Sequence, residues 1–203
     1  MKRTILLFSL SLLAWTGAAI AGETKVMDTA GEAFIANGHG ISRLTAGMKC
    51  EAGDMLMTRP GGTADVLVNG LAACRLLPGT TAALAGVHGD KMQILVAEGD
   101  VILNVKKLPE TSRFLVDTPT AVAVVRGTQF WGRVAGIDEA IRTTFAVKEG
   151  VVRVTMKDSG AEVDLSAGDA VDIDPGVTEL HARKATQEEM GAMRAADQMA
   201  GNM

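Results

Sequence analysis

The sequence contains no tyrosine, five phenylalanines and two tryptophans in 203 residues. Phe8 and Trp15 lie in a segment that reads as a removable leader, so the remaining chain keeps only Phe34, Phe114, Phe130, Phe145 and Trp131. Platforms for stacking on sugars or bases are therefore scarce. Histidine is as sparse: His39, His88 and His181 stand in Gly-rich or terminal contexts and read as solvated turn or tail residues rather than bases. Ser42, Ser112, Ser159 and Ser166 sit in no nucleophile-elbow pattern, and no phosphate-cradling or dinucleotide fingerprint occurs. With two cysteines and no His or third Cys at ligand-like spacing, a zinc site is not indicated. Asp172 and Asp174 flank Ile173 and share a side, as a calcium pair would, but a strand ending at Pro175 is the better account of them, and no metal site is expected. Groups able to converge on catalysis are missing, so the expectation is a protein that is not an enzyme and needs no cofactor.

Long apolar runs are absent too. Lys2 and Arg3 precede an apolar stretch from Ile5 to Trp15 and a small-x-small site at Ala19-Ile20-Ala21, the pattern of a secretion signal over residues 1–21. The run falls short of the roughly 20 residues that span a bilayer. Cleavage would leave Gly22 first, no membrane span, and no cysteine at the site to carry a lipid. Of the 20 basic residues the leader takes Lys2 and Arg3, leaving 18 against 24 acidic ones, a net formal charge of about −6. That charge argues against nucleic acid as a partner. The expected location is periplasmic or secreted, where an oxidising environment favours a disulfide between Cys50 and Cys74. Closing that loop would stabilise the fold by roughly 3 kcal/mol.

What is present is alternation. Between about residues 31 and 176, short runs of period two recur, among them Ala64–Val68, Lys91–Val96, Asp100–Val105 and Gly150–Met156. They are separated by turn signals at Gly53-Asp54, Asn69-Gly70, Gly89-Asp90, Gly99-Asp100, Asp158-Ser159-Gly160 and Gly168-Asp169. No long helix fits between them, which predicts an all-β domain. Val96-Ala97-Glu98-Gly99-Asp100-Val101 and Val147-Lys148-Glu149-Gly150-Val151-Val152 share the pattern V-x-E-G-x-V, as successive strand pairs would if stacked in a twisted two-layer sandwich or a short β-solenoid. After Pro175-Gly176 the character changes: Thr186-Gln187-Glu188-Glu189 is a capping box, and Met190 and Met193 follow in a short helical tail. The predicted organisation is a leader at 1–21, a lead segment at 22–30, a β domain at 31–176 and a partly helical tail at 177–203.

The stretch Val116-Asp117-Thr118-Pro119-Thr120-Ala121-Val122-Ala123-Val124-Val125-Arg126-Gly127-Thr128-Gln129-Phe130 resembles the hallmark of the FecR domain, a Thr-Pro start leading through a small apolar strand to Arg-Gly-Thr and an aromatic. Further pieces fall in the family's order: Gly31-Glu32-Ala33, Leu44 with Gly47, Gly53-Asp54-Met55-Leu56-Met57-Thr58, Leu76-x-Pro78-x-Thr80, and Leu165-x-Ala167-Gly168-Asp169. The resemblance covers about 145 residues of this chain. It implies likeness to the periplasmic half of the regulator of ferric-citrate uptake, which senses an outer-membrane receptor and controls a sigma factor. The sequence lacks that regulator's cytoplasmic helical segment and internal membrane span, so the resemblance implies a periplasmic protein-interaction module in signalling rather than an anti-sigma factor.

The signature also has a physical reading. Pro119 fixes a strand entry, and Ala121 and Ala123 permit close approach of another layer. Alternation puts Val122, Val124 and Arg126 on one face, so the guanidinium would end an apolar row and require carbonyl or carboxylate partners. Thr118, Pro119, Arg126, Gly127, Thr128 and Phe130 are thus expected to be structural, with Gly127 permitting a bend. If Phe130 points inward, Gln129, Trp131 and Arg133 share the outer face, which either contacts a partner or lies beneath a loop or the tail. The functional expectation is an exported envelope module binding another protein; the alternative is a structural or cell-wall protein recognising glycan or peptidoglycan.

Overall fold

The computed structural model describes residues 23–88, 91–136, 140–194 and 199, so the expected leader lies outside the described residues. The alternating runs form strands that build two layers. In the first the order is β4 (Lys49–Cys50), β1 (Thr24–Ala30), β6 (Thr63–Val68), β7 (Ala72–Leu76), the second half of β9 (Lys91–Val105), β12 (Gln129–Ala135), β13 (Arg142–Glu149), β16 (Asp169–Ile173) and β17 (Arg183–Lys184). In the second it is β3 (Gly40–Arg43), β2 (Ala33–Asn37), β5 (Met55–Thr58), β8 (Thr81–His88), the first half of β9, β10 (Arg113–Asp117), β11 (Ala121–Val125), β14 (Val151–Met156) and β15 (Glu162–Ser166). The β9–β10 pair is parallel; the other pairs are antiparallel.

From β6 onward the chain alternates between the layers two strands at a time, except that the second half of β9 enters the first layer alone before β10 and β11 return to the second. This solenoid-like winding makes a two-layer all-β sandwich with a short C-terminal helix, α1 (Gln187–Ala192). Inward residues of both layers form one core: Val66, Leu76, Val101, Leu103 and Phe130 from the first meet Ile35, Leu56, Ile94, Phe114 and Val154 from the second. Phe130 and Phe145 are fully buried and lie 6.3 Å apart at a tilt of 57°, a geometry that adds about 1 kcal/mol to their burial.

Two boundaries differ from the sequence expectation. The lead segment is a strand, because the alternation Thr24, Val26 inward continues the core of the first layer and pairs β1 with both β4 and β6. The runs Lys91–Val96 and Asp100–Val105 are one strand of 15 residues, not two. Gly99, at φ +89°, bends β9 from one layer to the other instead of reversing it. A Cβ there would lie 2.5 Å from Thr80 Cα, so the crossing is packed directly on its neighbour. Gly150, at φ +86°, makes the corresponding passage from β13 to β14, where a Cβ would come within 2.6 Å of Gly127 O and Thr128 Cγ2. The repeated E-G-x-V pattern therefore marks the places where the chain changes layer.

The expected disulfide does not form. Cys50 and Cys74 are free and buried, and β1 and β6 stand between their strands. Three inter-strand spacings amount to about 14 Å, whereas a disulfide needs Cα atoms about 6 Å apart. Burial, and secondarily Asp54, pushes the Cys50 thiol up to about 11; burial and then Asp65 raise Cys74 further still. Both thiols are held protonated and inert. No helix among the described residues is long and apolar enough to cross a membrane.

Candidate functional site

Three rows of side chains cross the outer face of the first layer. The middle row runs Arg75, Ile102, Trp131, Ala146, Ala170 and Arg183, each directly opposite the next on adjacent strands. Ala146 and Ala170 leave room beside the indole, and the tail fills it: Met193 and Met199 pack with Trp131, Ile102 and Ala73 in a second apolar cluster, with Met190 at its margin. Trp131 is consequently only 3% exposed. The expected shared face of Gln129, Trp131 and Arg133 exists, but the outward Trp131 is not open to a partner, because the chain's own tail occupies it. Arg133 lies over the indole at 4.8 Å and pairs with Asp100 at 2.7 Å.

Polar contacts hold this cover. The capping box is formed: Thr186 Oγ1 accepts from the Glu189 amide and Glu189 Oε2 from the Thr186 amide. Arg183 Nε donates to Asp172 Oδ2 at 2.6 Å, and its Nη2 donates to Glu189 Oε1 at 2.7 Å. Those bonds from Arg183 are the chief cause holding both carboxylates below their ordinary range. Asp172 also accepts from Thr144, and Asp174 pairs with Arg142. Each aspartate that had suggested calcium is therefore engaged by an arginine. His39 and His181 are exposed and lie far apart in the chain, as turn and tail residues.

The signature stretch divides in two. Thr118 is 3% exposed, and its hydroxyl donates to Ala121 O and accepts from the Ala121 amide and from Thr143 Oγ1, which closes the tight entry around Pro119. Ala121, Ala123 and Val125 point inward. Thr128 and Val105 exchange both backbone hydrogen bonds, and Gly127, at φ +106°, passes so near β9's end that a Cβ would lie 2.9 Å from Lys107 Cα. Thr118, Gly127, Thr128 and Phe130 thus serve the fold.

Arg126 is a correction. It does share a face with Val122 and Val124, but the alanines face the core, so that face is the outer one of the second layer. Arg126 is exposed, with no hydrogen bond or ion pair among the described residues. It stands on a ridge between two surface clefts. One, of about 700 Å³, runs over Arg113, Val124, Val151 and Arg153; the other, of about 390 Å³, lies over Lys107, Thr128, Gln129 and Glu149. Sequence reasoning missed Arg113 and Val151, since only the strand register brings them beside Arg126.

This architecture, a wound two-layer sandwich with a bent strand common to both layers, defines a fold class found in solved structures. Two crystal structures, at 1.65 and 2.50 Å resolution, of a "putative anti-sigma factor" from Parabacteroides distasonis ATCC 8503 are similar to it, each with a TM-score of 0.57 and 21% identity. The similarity covers 68% of this chain and 63% or 62% of those chains, so this chain spans less than two thirds of their length. At that identity the likeness concerns the fold. Residues 54–153 match the family described as FecR protein, and this segment, from the start of β5 through the signature into β14, is a FecR domain. Among curated proteins there is no match.

Proposed function

We propose that this protein is an exported, non-enzymatic module of the bacterial envelope that binds another envelope protein in a signalling pathway. The observation that carries the reading is the FecR domain itself, whose signature arginine has no ion pair among the described residues and stands exposed between two clefts. The N-terminal pattern of Lys2, Arg3, the short apolar run and Ala19-Ile20-Ala21 supports export. The family supports regulation by protein contact rather than turnover. The outer face of the second layer, not the covered Trp131 face, is the surface available for it.

The test is proximity labelling from the tagged protein in living cells, with retention on purified peptidoglycan in parallel and mass spectrometry of the N-terminus. The expected result is a chain starting at Gly22, a discrete set of labelled envelope proteins and no retention on peptidoglycan. An intact Met1 would refute export. Retention on peptidoglycan without any enriched protein would replace protein binding by cell-wall recognition.

A further inference from the structure

Four cations on the strands of this protein are neutralised directly across the ladder. Arg75 faces Asp65, Arg133 faces Asp100, Arg153 faces Asp164 and Lys184 faces Asp169, each pair in direct register and each within 2.7 Å. Two like-charge juxtapositions break the pattern: Lys25 is opposite Lys49, which Glu23 neutralises at 3.1 Å, whereas a row of three cations has no such carboxylate among the described residues. On the outer face of the second layer Lys91 is directly opposite Arg113, and Arg113 lies one step beyond the Phe114–Val125 pair, which sets it opposite Arg126. All three are exposed, and none has a hydrogen-bond or ion-pair partner among the described residues. Like charges directly opposite one another on neighbouring strands repel, so this row weakens the sheet that carries it.

The surroundings give the row a shape. Arg113 and Arg126 line the same 700 Å³ cleft, whose floor includes Val124 and the 54% exposed Val151. Of the two carboxylates that line the cleft, Asp164 is already bidentate with Arg153, and Glu162 accepts from Thr155. The cleft thus offers two free planar guanidiniums beside exposed apolar surface. A guanidinium matches a carboxylate with two parallel hydrogen bonds, and the valines suit aliphatic side chains. In an extended peptide, residues i and i+2 project to one side about 7 Å apart, a spacing that two arginines on adjacent strands can span.

We infer that the Lys91–Arg113–Arg126 row with Val124 and Val151 is the docking site for an extended acidic segment of a partner protein, whose carboxylates pair with Arg113 and Arg126. This rests on the envelope-module reading and specifies its contact surface. Charge complementarity selects the occupant: a neutral β-strand would leave the row unneutralised, and a basic one would be repelled. Lys107, across the ridge beside Arg126, extends the positive surface toward the second cleft.

The probe is a fluorescein-labelled six-residue peptide of alternating Val and Glu, compared with its Val and Gln counterpart, followed by fluorescence anisotropy with the purified protein. The Glu peptide is expected to bind at least tenfold more tightly than the Gln peptide. The double variant R113E/R126E should lose at least tenfold while keeping the wild-type urea midpoint, and K49E, a reversal of an exposed lysine elsewhere, should change binding less than twofold. Equal affinity for the two peptides, absence of binding, or equal loss in K49E would overturn the inference. So would capture of phosphatidylglycerol vesicles through Arg113 and Arg126 with the peptide unbound, which would assign the site to lipid. In cells, proximity labelling separates the two levels. The same proteins labelled by wild type and R113E/R126E would sink this site and leave the envelope-module reading standing, whereas no enriched protein with wild type would sink that reading.

Discussion

Arg183→Met should release the C-terminal tail from the face it covers. Arg183 bonds Asp172 and Glu189, and the Glu189 side chain is only 10% exposed, against 32% for Asp172 and 36% for Arg183. Methionine keeps most of the stem's packing and removes the donors, leaving Glu189 with the capping bonds of Thr186 alone. Hydrogen bonds to charged groups contribute roughly 1.5–3 kcal/mol each when buried. Two partly exposed pairs, discounted for solvent screening, give about 2 kcal/mol, close to a 30-fold shift between docked and detached tail. In protein produced from residue 22 onward Trp131 is the one indole, so acrylamide quenching and emission maximum report detachment directly, with a chain ending at residue 185 as the ceiling. The same contact is acid-sensitive. Arg183 lowers Asp172 from 3.8 and Glu189 from 4.5, so their stabilisation is complete above those unfolded values and is lost as pH falls through the lowered folded ones. Wild-type quenching should therefore rise below about pH 4, and R183M should show little of that change. If R183M quenches like wild type while the truncated chain does not, the ion pairs do not hold the tail. Unchanged quenching on truncation would mean that the tail is not what shields the indole.

Other expected outcomes follow from burial and register. Neither Cys50 nor Cys74 should be alkylated in the folded protein, both should label after unfolding in urea without reductant, and reductant should leave the midpoint unchanged; a shifted midpoint would restore the disulfide. Gly99→Ala, which sets a Cβ 2.5 Å from Thr80 Cα at φ +89°, should cost about 2–4 kcal/mol in urea unfolding. Gly47→Ala, with φ +90° but open space around it, should cost only about 1 kcal/mol, which isolates the packing contribution. Arg126→Ala should change stability by less than about 0.5 kcal/mol, whereas Phe130→Ala should lose about 3–5 kcal/mol. A large loss in Arg126→Ala would place that guanidinium in the fold rather than on the binding surface.

Features governed by neighbours in sequence were legible. The strands β6 and β14 follow from period-two alternation, and the helix start follows from the reciprocal reach of Thr186 and Glu189. In the signature stretch the small apolar strand follows from alternation, but Pro119, read as a first strand residue, lies in the bend that joins β10 to β11. What escaped depends on partners distant in the chain. Gly99-Asp100 looks like any hairpin turn, and only Thr80, packed where a Cβ would stand, determines that the chain bends between layers there. Two cysteines suggest a bridge until strand order inserts β1 and β6 between them. Alternation grouped Val122, Val124 and Arg126 correctly but could not tell which face was buried, because the larger valines look more core-like than Ala121 and Ala123. The cation row is further from reach, since Lys91, Arg113 and Arg126 become neighbours only through a parallel and an antiparallel pairing on either side of β10.

The strand that crosses both layers has a consequence for how this molecule comes apart. In an array of stacked repeats each unit touches only its neighbours, so unfolding can begin at either end and advance unit by unit. Here β7 and β12 attach to one half of β9, β8 and β10 to the other, and the strand is covalently continuous through Gly99. Fraying from β3 or from β17 can proceed inward only until it meets β9, and past that point neither layer keeps its centre. Hydrogen exchange should therefore find the slowest amides along Ile94 to Leu103, exchanging together with the global transition, while the terminal strands open independently.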